Sequence, residues 1–196
     1  RAQLFCIQED HSSLGEPLNR LVKVPLAGGT PEVVAEGSDF YSSPRLSPDG
    51  QHLAWISWNH PGMPWDSSCL WLATVEVENP PRCLVQNPRE SIVEPQWSPQ
   101  GLLHYVSDKS GFWNLYAWTE AGPRALCPKE AEFAQPPWVF GQSAYGFFPD
   151  GAIFCTYCDS GIWKLAFHDT RWRWLESPFT DIDTIRTTGG AVAFLG

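Results

Sequence analysis

The sequence predicts an all-β fold, and within that class part of a β-propeller built from four-stranded blades of about 45 residues. Short runs of aromatic and β-branched residues, such as Leu53–Trp58 and Leu70–Val75, have the length of strands. Gly, Pro, Asn and Asp interrupt these runs about every ten residues, as in proteins made of many short strands. Trp accounts for 11 of the 196 residues, and rings of this size fill the space between sheets that pack face to face.

An internal repeat favours a propeller over a sandwich. A tetrad with Pro second and Gly fourth precedes a strand three times, at Ser47–Gly50, Ser98–Gly101 and Phe148–Gly151. An aromatic residue follows each tetrad inside a later strand: Trp71, Tyr116 and Trp163. These aromatic residues are 45 and 47 positions apart, which is the length of one blade. A two-layer sandwich with accidental spacing is the alternative.

The repeat assigns each segment of the chain to a blade. Full blades are predicted at 38–87, 88–128 and 129–177. Residues 1–37 are predicted to hold three strands of a partial blade (Leu4–Glu9, Leu21–Leu26 and Glu32–Ala35), and 178–196 two strands of another (Asp181–Thr187 and Ala191–Leu195). Three strands plus two exceed one blade, so we expect an arc of a larger ring. Neighbouring blades should meet through six mostly buried aromatic residues: Trp55, Trp71, Trp97, Tyr116, Trp138 and Trp163.

Charge and composition exclude several classes of protein. The chain carries 13 basic and 22 acidic residues, a net charge of −9, which argues against a nucleic-acid partner. No apolar run of about 18 residues exists, so no membrane-spanning segment is predicted. The six cysteines lie mostly in apolar runs and there is no Asn-x-Ser/Thr sequence. We therefore expect free thiols and a cytoplasmic protein. Because residue 1 is Arg, the true N-terminus and any targeting signal remain open.

One segment resembles a known family. Asp39–Gly50 followed by Leu53-Ala54-Trp55, and then Trp58–Asp66, resembles the β-propeller of prolyl-oligopeptidase-family serine peptidases, in the dipeptidyl aminopeptidase and acylaminoacyl-peptidase branch. The sequence from His60 to Asp66 is the most specific part. Further similar segments are Glu9–His11, Asn19–Val22, Trp138–Gly141 and Phe179–Asp183. The chain departs from the family pattern at Asn59 and Gln100, where Asp is expected.

The resemblance implies a two-part enzyme. Its propeller covers a C-terminal α/β-hydrolase domain that carries a Ser, Asp and His triad, and that domain is absent from these 196 residues. The chain is then the non-catalytic propeller portion of a serine exopeptidase, which gates the access of short peptides to the hydrolase domain. Its implied partners are that domain and a peptide substrate. The alternative is a stand-alone scaffold propeller that binds proteins and has no hydrolase activity.

The sequence assigns no catalytic, cofactor-binding or metal-binding residue. Gly141–Gly146 resembles a Gly-x-Ser-x-Gly nucleophile elbow, but its last Gly is one residue late and no helix is predicted after it, so Ser143 is not expected to be a nucleophile. Cys155 and Cys158 should face opposite sides of a strand. The five histidines, at 11, 52, 60, 104 and 168, lack the spacing of metal ligands.

Two charged clusters have competing interpretations. Glu9–His11 is either a solvated strand end or a contact for a peptide amino group, and we leave both open. Arg171–Trp174 alternates Arg and Trp, which predicts an ordinary half-buried strand with the two Trp rings on one face rather than a ligand-stacking surface.

Overall fold

A computed structural model describes residues 2–75 and 79–196 of the chain. These residues form 17 β-strands and no helix, which confirms the all-β prediction. The strands are β1 (Gln3–Asp10), β2 (Leu18–Pro25), β3 (Glu32–Ala35), β4 (Phe40–Leu46), β5 (His52–Trp58), β6 (Cys69–Thr74), β7 (Arg82–Gln86), β8 (Ile92–Trp97), β9 (Leu103–Ser107), β10 (Asn114–Thr119), β11 (Gly122–Ala125), β12 (Tyr145–Phe147), β13 (Ile153–Asp159), β14 (Ile162–His168), β15 (Trp172–Leu175), β16 (Asp183–Thr188) and β17 (Ala191–Leu195). The described part of the chain thus contains no helix that could cross a membrane.

The strands form five antiparallel sheets in chain order. Sheet I contains β1–β3, sheet II β4–β7, sheet III β8–β11, sheet IV β12–β15 and sheet V β16–β17. Every strand within a sheet pairs with its neighbour in sequence, so each sheet is a series of hairpins. The strand pattern predicted for both ends of the chain is confirmed, because three strands lie before β4 and two after β15.

The three Pro-Gly tetrads form the tight turns that the sequence predicts. In each, the glycine N–H donates to the carbonyl three residues earlier at 2.9 Å, and Gly50, Gly101 and Gly151 have φ of 72°, 81° and 90°. A side chain would be strained at this positive φ, so glycine suits the position. Gln100, which stands where the family pattern has Asp, donates from Nε2 to the Pro149 carbonyl at 3.1 Å. One tetrad is thereby joined to the next.

Hydrophobic clusters join each sheet to the next one along the chain. Leu21 of sheet I packs with Trp55 of sheet II, and Leu70 of sheet II packs with Tyr105 of sheet III. Two further clusters join sheet III to sheet IV and sheet IV to sheet V; the first contains Trp113, Phe133 and Tyr145, and the second contains Phe154 and Ile182. The core is therefore a succession of layers between sheets rather than one central mass.

Five of the six aromatic residues predicted at these contacts are found there. Trp55 and Tyr116 are buried, and the other three are half-buried against the clusters: Trp71, Trp97 and Trp163.

The prediction was wrong for Trp138, which is 72% exposed. Sheet IV begins only at Tyr145, so the start of the predicted 129–177 segment is a connection, in which Glu132 forms an isolated bridge with Cys158. Pro136 and Pro137 precede Trp138. Two adjacent prolines cannot donate to a sheet, which explains why no strand forms there.

The basic-aromatic segment forms the outer strand of sheet IV. Trp172 and Trp174 lie on one face and stack, with ring centroids 5.9 Å apart. Arg173 packs over the Phe167 ring and forms an ion pair with Asp169. An ordinary strand with the two Trp rings on one face is therefore confirmed, but it is more exposed than predicted: only Trp172 is half-buried, and Trp174 is 48% exposed.

Candidate functional site

One pocket collects an equivalent residue from the first strand of four successive sheets. Arg45 of β4, Gln96 of β8, Gly146 of β12 and Arg186 of β16 all line a pocket of about 300 Å³. In sheets II, III and IV this residue stands two positions before the Pro-Gly tetrad, and Arg186 stands two positions before Thr188, the last residue of β16. We call this space the first-strand pocket.

A bulge precedes the pocket residue in three of these strands. The pairing register shifts between Ser42 and Arg45, between Val93 and Gln96, and between Asp183 and Arg186. Inside the bulges, the three residues at positive φ are not glycine: Ser43 (52°), Glu94 (52°) and Thr184 (57°). A bulge redirects the side chains that follow it. Such local strain is common at binding sites.

Two guanidinium groups lie in the first-strand pocket without a carboxylate partner among the described residues. Arg45 Nη1 donates to the Pro44 carbonyl at 3.2 Å. Arg186 donates to the carbonyls of Ile185 at 2.9 Å and Gly141 at 2.7 Å. These contacts fix both side chains but do not neutralise their charge.

Glu94 is one of two carboxyl groups near this pocket, the other being Asp183. Its Oε2 accepts the Ala144 N–H at 2.7 Å, and its main-chain carbonyl accepts the Tyr145 hydroxyl at 2.7 Å. Burial raises the pKa of Glu94 to about 7. The Ala144 hydrogen bond and the positive charges of Arg45 and Arg186 oppose that rise, whereas the Asp183 carboxylate adds to it. Glu94 is therefore partly protonated at neutral pH.

An apolar groove lies at the end of the molecule where β4 begins. Its volume is about 260 Å³, and it includes part of the predicted family segment. We call it the aromatic groove and define it by Phe40, Trp58, Met63, Trp65, Trp138, Val139 and Phe140. Glu9 and Asn19 stand at its border, and the buried Oδ1 of Asn19 has no hydrogen-bond partner among the described residues.

Hydrogen bonds hold the loop that forms one wall of this groove. The Asp39 N–H donates to Asn59 Oδ1 at 2.7 Å, and Asp39 Oδ2 accepts the His60 N–H at 2.8 Å. Asn59 thus supplies the acceptor oxygen that an Asp would supply at this departure from the family pattern. Trp65 of the same loop packs on Trp138 of the opposite wall, with ring centroids 4.3 Å apart. The exposed Trp138 therefore has a defined position.

Ser143 lies beside the first-strand pocket but has no base next to it among the described residues. Its hydroxyl donates to the Tyr145 carbonyl at 2.9 Å and accepts from Gln96 Nε2 at 3.2 Å. A nucleophilic serine needs a histidine or another base within hydrogen-bond reach. The arrangement is that of a structural serine.

The acidic cluster near the N-terminus divides between two roles. Glu9 lines the aromatic groove and contacts His11 Nε2 at 3.3 Å. Asp10 instead accepts the Ser12 N–H at 2.9 Å and lies 3.5 Å from Arg20. Only Glu9 is therefore available to a ligand in the groove.

The cysteines and histidines form no metal centre in the described part of the chain. All six cysteines are free thiols, as expected. Cys155 is buried, and burial raises the pKa of its thiol well above the usual value. Burial also lowers the pKa of His104 to about 4, so this residue is neutral at physiological pH.

Sequence reasoning missed the pocket residues Arg45, Gln96 and Arg186. The available signal was their common position two residues before a repeated turn. This shared position indicates a functional site only once the structure shows that β4, β8 and β16 line the same pocket.

Comparisons with known proteins give relatives among solved structures only. No family model matches the chain, and no curated protein matches it. The structure of a puromycin hydrolase matches with a TM-score of 0.89 and 28% identity, over 98% of this chain and 32% of that one. The structure of a puromycin-hydrolysing peptidase from Mycobacterium tuberculosis matches with a TM-score of 0.85 and 30% identity, over 97% of this chain and 32% of that one. The chain thus spans about a third of the length of these proteins.

More distant matches concern the fold alone. Prolyl oligopeptidase B from Galerina marginata has a TM-score of 0.71 at 10% identity, over 99% of this chain and 29% of that one. The β-propeller domain of the Trilobed protease from Pyrococcus furiosus has a TM-score of 0.54 at 14% identity, over 89% of this chain and 53% of that one. Propellers of peptidases are therefore among the structures that share this arrangement of strands.

Proposed function

We propose that this chain, which is homologous to the propeller of puromycin-hydrolysing peptidases in the prolyl oligopeptidase family, is the non-catalytic propeller portion of a serine exopeptidase. The observation that carries the proposal is the match of 98% of the chain to puromycin hydrolase at a TM-score of 0.89. The complete protein would add an α/β-hydrolase domain with the catalytic serine. A cytoplasmic location is part of the proposal and is supported by the six free thiols.

In this proposal each sheet is one blade of an incomplete ring. The full blades are 38–87, 88–128 and 129–177, and the partial blades are 1–37 and 178–196. The first strand of each blade lines the central channel, which is supported by the way four such strands share the first-strand pocket. The propeller would gate the channel, so that short peptides reach the hydrolase domain and folded chains do not.

The aromatic groove supports a preference for peptides that carry a large apolar side chain. Trp138 and Phe140 are 72% and 75% exposed, and they line the groove together with Trp58 and with Trp65, on which Trp138 packs. An aromatic or aliphatic side chain placed there would remove apolar surface from water on both sides. Dipeptidyl or acylaminoacyl specificity is proposed on the sequence resemblance alone.

The test uses the complete protein encoded by the reading frame that contains this chain. We expect it to hydrolyse nitroanilides with a dipeptidyl or acylaminoacyl group, and to cleave peptides less efficiently as their length increases. Trp138→Ala should raise KM for substrates with an aromatic side chain and leave Tm nearly unchanged, because the ring is exposed. Trp174→Ala, on the outer strand of sheet IV, is the matched control.

The alternative function has a distinct outcome. If the complete protein hydrolyses none of these substrates and no serine reacts with a fluorophosphonate probe, the proposal fails. A stand-alone scaffold propeller that binds proteins would then be the better explanation.

A further inference from the structure

We propose that Arg45 and Arg186 form a carboxylate-binding site in the first-strand pocket, and that this site holds a carboxylate of a short peptide. The choice of a peptide as ligand rests on the proposed function. The existence of a carboxylate site rests on the pocket itself.

The first argument is the unpaired positive charge. The chain has nine more acidic than basic residues, yet neither guanidinium forms an ion pair among the described residues. Other arginines, such as Arg82 and Arg124, also lack such a pair in the described part of the chain, and what sets Arg45 and Arg186 apart is that both line one pocket. A guanidinium has five N–H donors, and the carbonyl contacts of Arg45 and Arg186 use only one and two of them. Donors therefore remain for a ligand.

The second argument concerns the two nearby acidic residues. Glu94 directs Oε2 to the Ala144 N–H at 2.7 Å, and Asp183 directs Oδ1 to the Thr184 N–H at 2.6 Å. Neither carboxyl lies within 4.0 Å of a guanidinium nitrogen in the described residues. The raised pKa of Glu94 further reduces its negative charge at neutral pH. The protein therefore supplies no full counter-charge to the pocket.

The third argument is the polar lining of the pocket that contains the two arginines. Gln96 Nε2 is occupied by the Tyr145 carbonyl at 2.9 Å, whereas Gln142 Oε1 is buried and has no hydrogen-bond partner among the described residues. Gln142 lines the same pocket as the arginines. A peptide end has an amide N–H beside its carboxylate, so it could satisfy the unpaired oxygen and both cations together.

The geometry of the guanidinium group favours a carboxylate over a simple monatomic anion. Its planar fork donates two parallel hydrogen bonds to the two oxygens of one carboxylate. The pocket volume of about 300 Å³ leaves room for the end of a peptide rather than for a folded chain. On the β12 side the Thr187 side chain packs directly against Gly146, where a Cβ would lie 2.7 Å from Thr187 Oγ1.

The experiment measures peptide binding to the complete protein by rapid tryptophan-fluorescence titration. The probes are phenylalanyl-glycyl-glycine with a free carboxylate, the same tripeptide as its C-terminal amide, and phenylalanyl-glycyl-aspartic acid as its C-terminal amide. We expect the free acid to bind about ten- to a hundredfold more tightly than the amide. Equally tight binding of the aspartyl probe would show that the site accepts a side-chain carboxylate, and weak binding would restrict it to a C-terminus.

Variants connect this preference to the two arginines. Arg45→Gln and Arg186→Gln should each remove most of the preference while leaving the affinity for the amide unchanged. Arg45→Lys should keep part of the preference for the free acid over the amide, because lysine retains the positive charge. Arg89→Gln, which removes an exposed arginine from the loop after β7, is the control. Thermal melting of each variant checks that it folds.

The inference is overturned if the free acid and the amide bind equally, or if the preference survives in both glutamine variants. Nitroanilide hydrolysis separates this result from the proposed function. A protein that hydrolyses peptides but shows no carboxylate preference contradicts only the inference. A protein that prefers the free acid but hydrolyses nothing contradicts only the proposed function.

Discussion

Replacing Glu94 with Gln should stabilise the protein in alkaline solution and leave it unchanged in acid. Glutamine keeps an oxygen acceptor for the Ala144 N–H, which Glu94 accepts at 2.7 Å, and removes only the titrating charge. Burial raises the pKa of Glu94 from 4.5 to about 7. A change of this size corresponds to about 3 kcal/mol of preference for the protonated carboxyl. Solvent reaches the half-buried side chain, so we expect about 1–2 kcal/mol.

The direction follows from the protons that each state binds. Between pH 4.5 and about 7 the folded protein keeps the Glu94 proton, whereas the unfolded chain has lost it. The free energy of unfolding therefore falls as pH rises through this window and is level above it. The Glu94→Gln variant does not lose stability in this way, so its advantage grows between pH 4.5 and about 7 and is complete above about pH 7.

Thermal unfolding of the complete protein at two pH values measures this advantage. The variant should melt about 2–6 °C above the wild type near pH 8 and at the same temperature near pH 4. Glu120→Gln, which removes an exposed carboxylate from the β10–β11 turn, is the control. An equal shift at both pH values, or a lower melting temperature near pH 8, would refute the role assigned to burial.

Three further predictions concern other parts of the molecule. Tyr145→Phe removes the hydroxyl that donates to the Glu94 carbonyl at 2.7 Å, so urea unfolding should show a loss of about 1–2 kcal/mol; an unchanged midpoint would contradict this. The isolated 196-residue chain should not react with a fluorophosphonate, and labelling that disappears in Ser143→Ala would restore Ser143 as a nucleophile. The isolated chain should also self-associate in light scattering, because Val33 and Leu195 are 51% and 65% exposed on the first and last sheets and strand edges recruit other chains. A monodisperse monomer would contradict that last prediction.

Local sequence patterns predicted the strands because turns and hairpins are short-range structures. The glycines of the three tetrads adopt the positive φ that a tight turn requires. A strand begins within two residues after each tetrad, as the sequence pattern predicts. Side-chain burial was harder to predict because it depends on neighbouring sheets. The sequence pattern alone places Leu21 and Ile185 on the first and last sheets, where an apolar side chain could face solvent. In the structure both side chains are buried against the neighbouring sheet.

The functional region was only partly predictable. The family segment located one wall of the aromatic groove, but the opposite wall, with Trp138, lies in a connection that was expected to be a buried strand. The bulges at Ser43 and Glu94 had a visible signal, since a proline directly follows each of these residues in the sequence. No sequence signal indicated that Arg45 and Arg186 line the same pocket, because 141 positions separate them in the chain.

The first-strand pocket separates the residues that meet a ligand from those that hold the fold. Sheets II to V each contribute one of these equivalent positions, and the buried clusters between sheets contain none of Arg45, Gln96, Gly146 and Arg186. Replacing one of these pocket residues would therefore change which ligands the pocket binds without altering the buried clusters between the sheets. With acidic residues in place of the two arginines, the pocket would favour a ligand with an amino group. With apolar residues there, it would favour an uncharged ligand. Gly146 is the exception, because a Cβ there would lie 2.7 Å from Thr187 Oγ1. The repeat architecture thus gives evolution three positions, Arg45, Gln96 and Arg186, at which specificity can diverge outside the buried clusters.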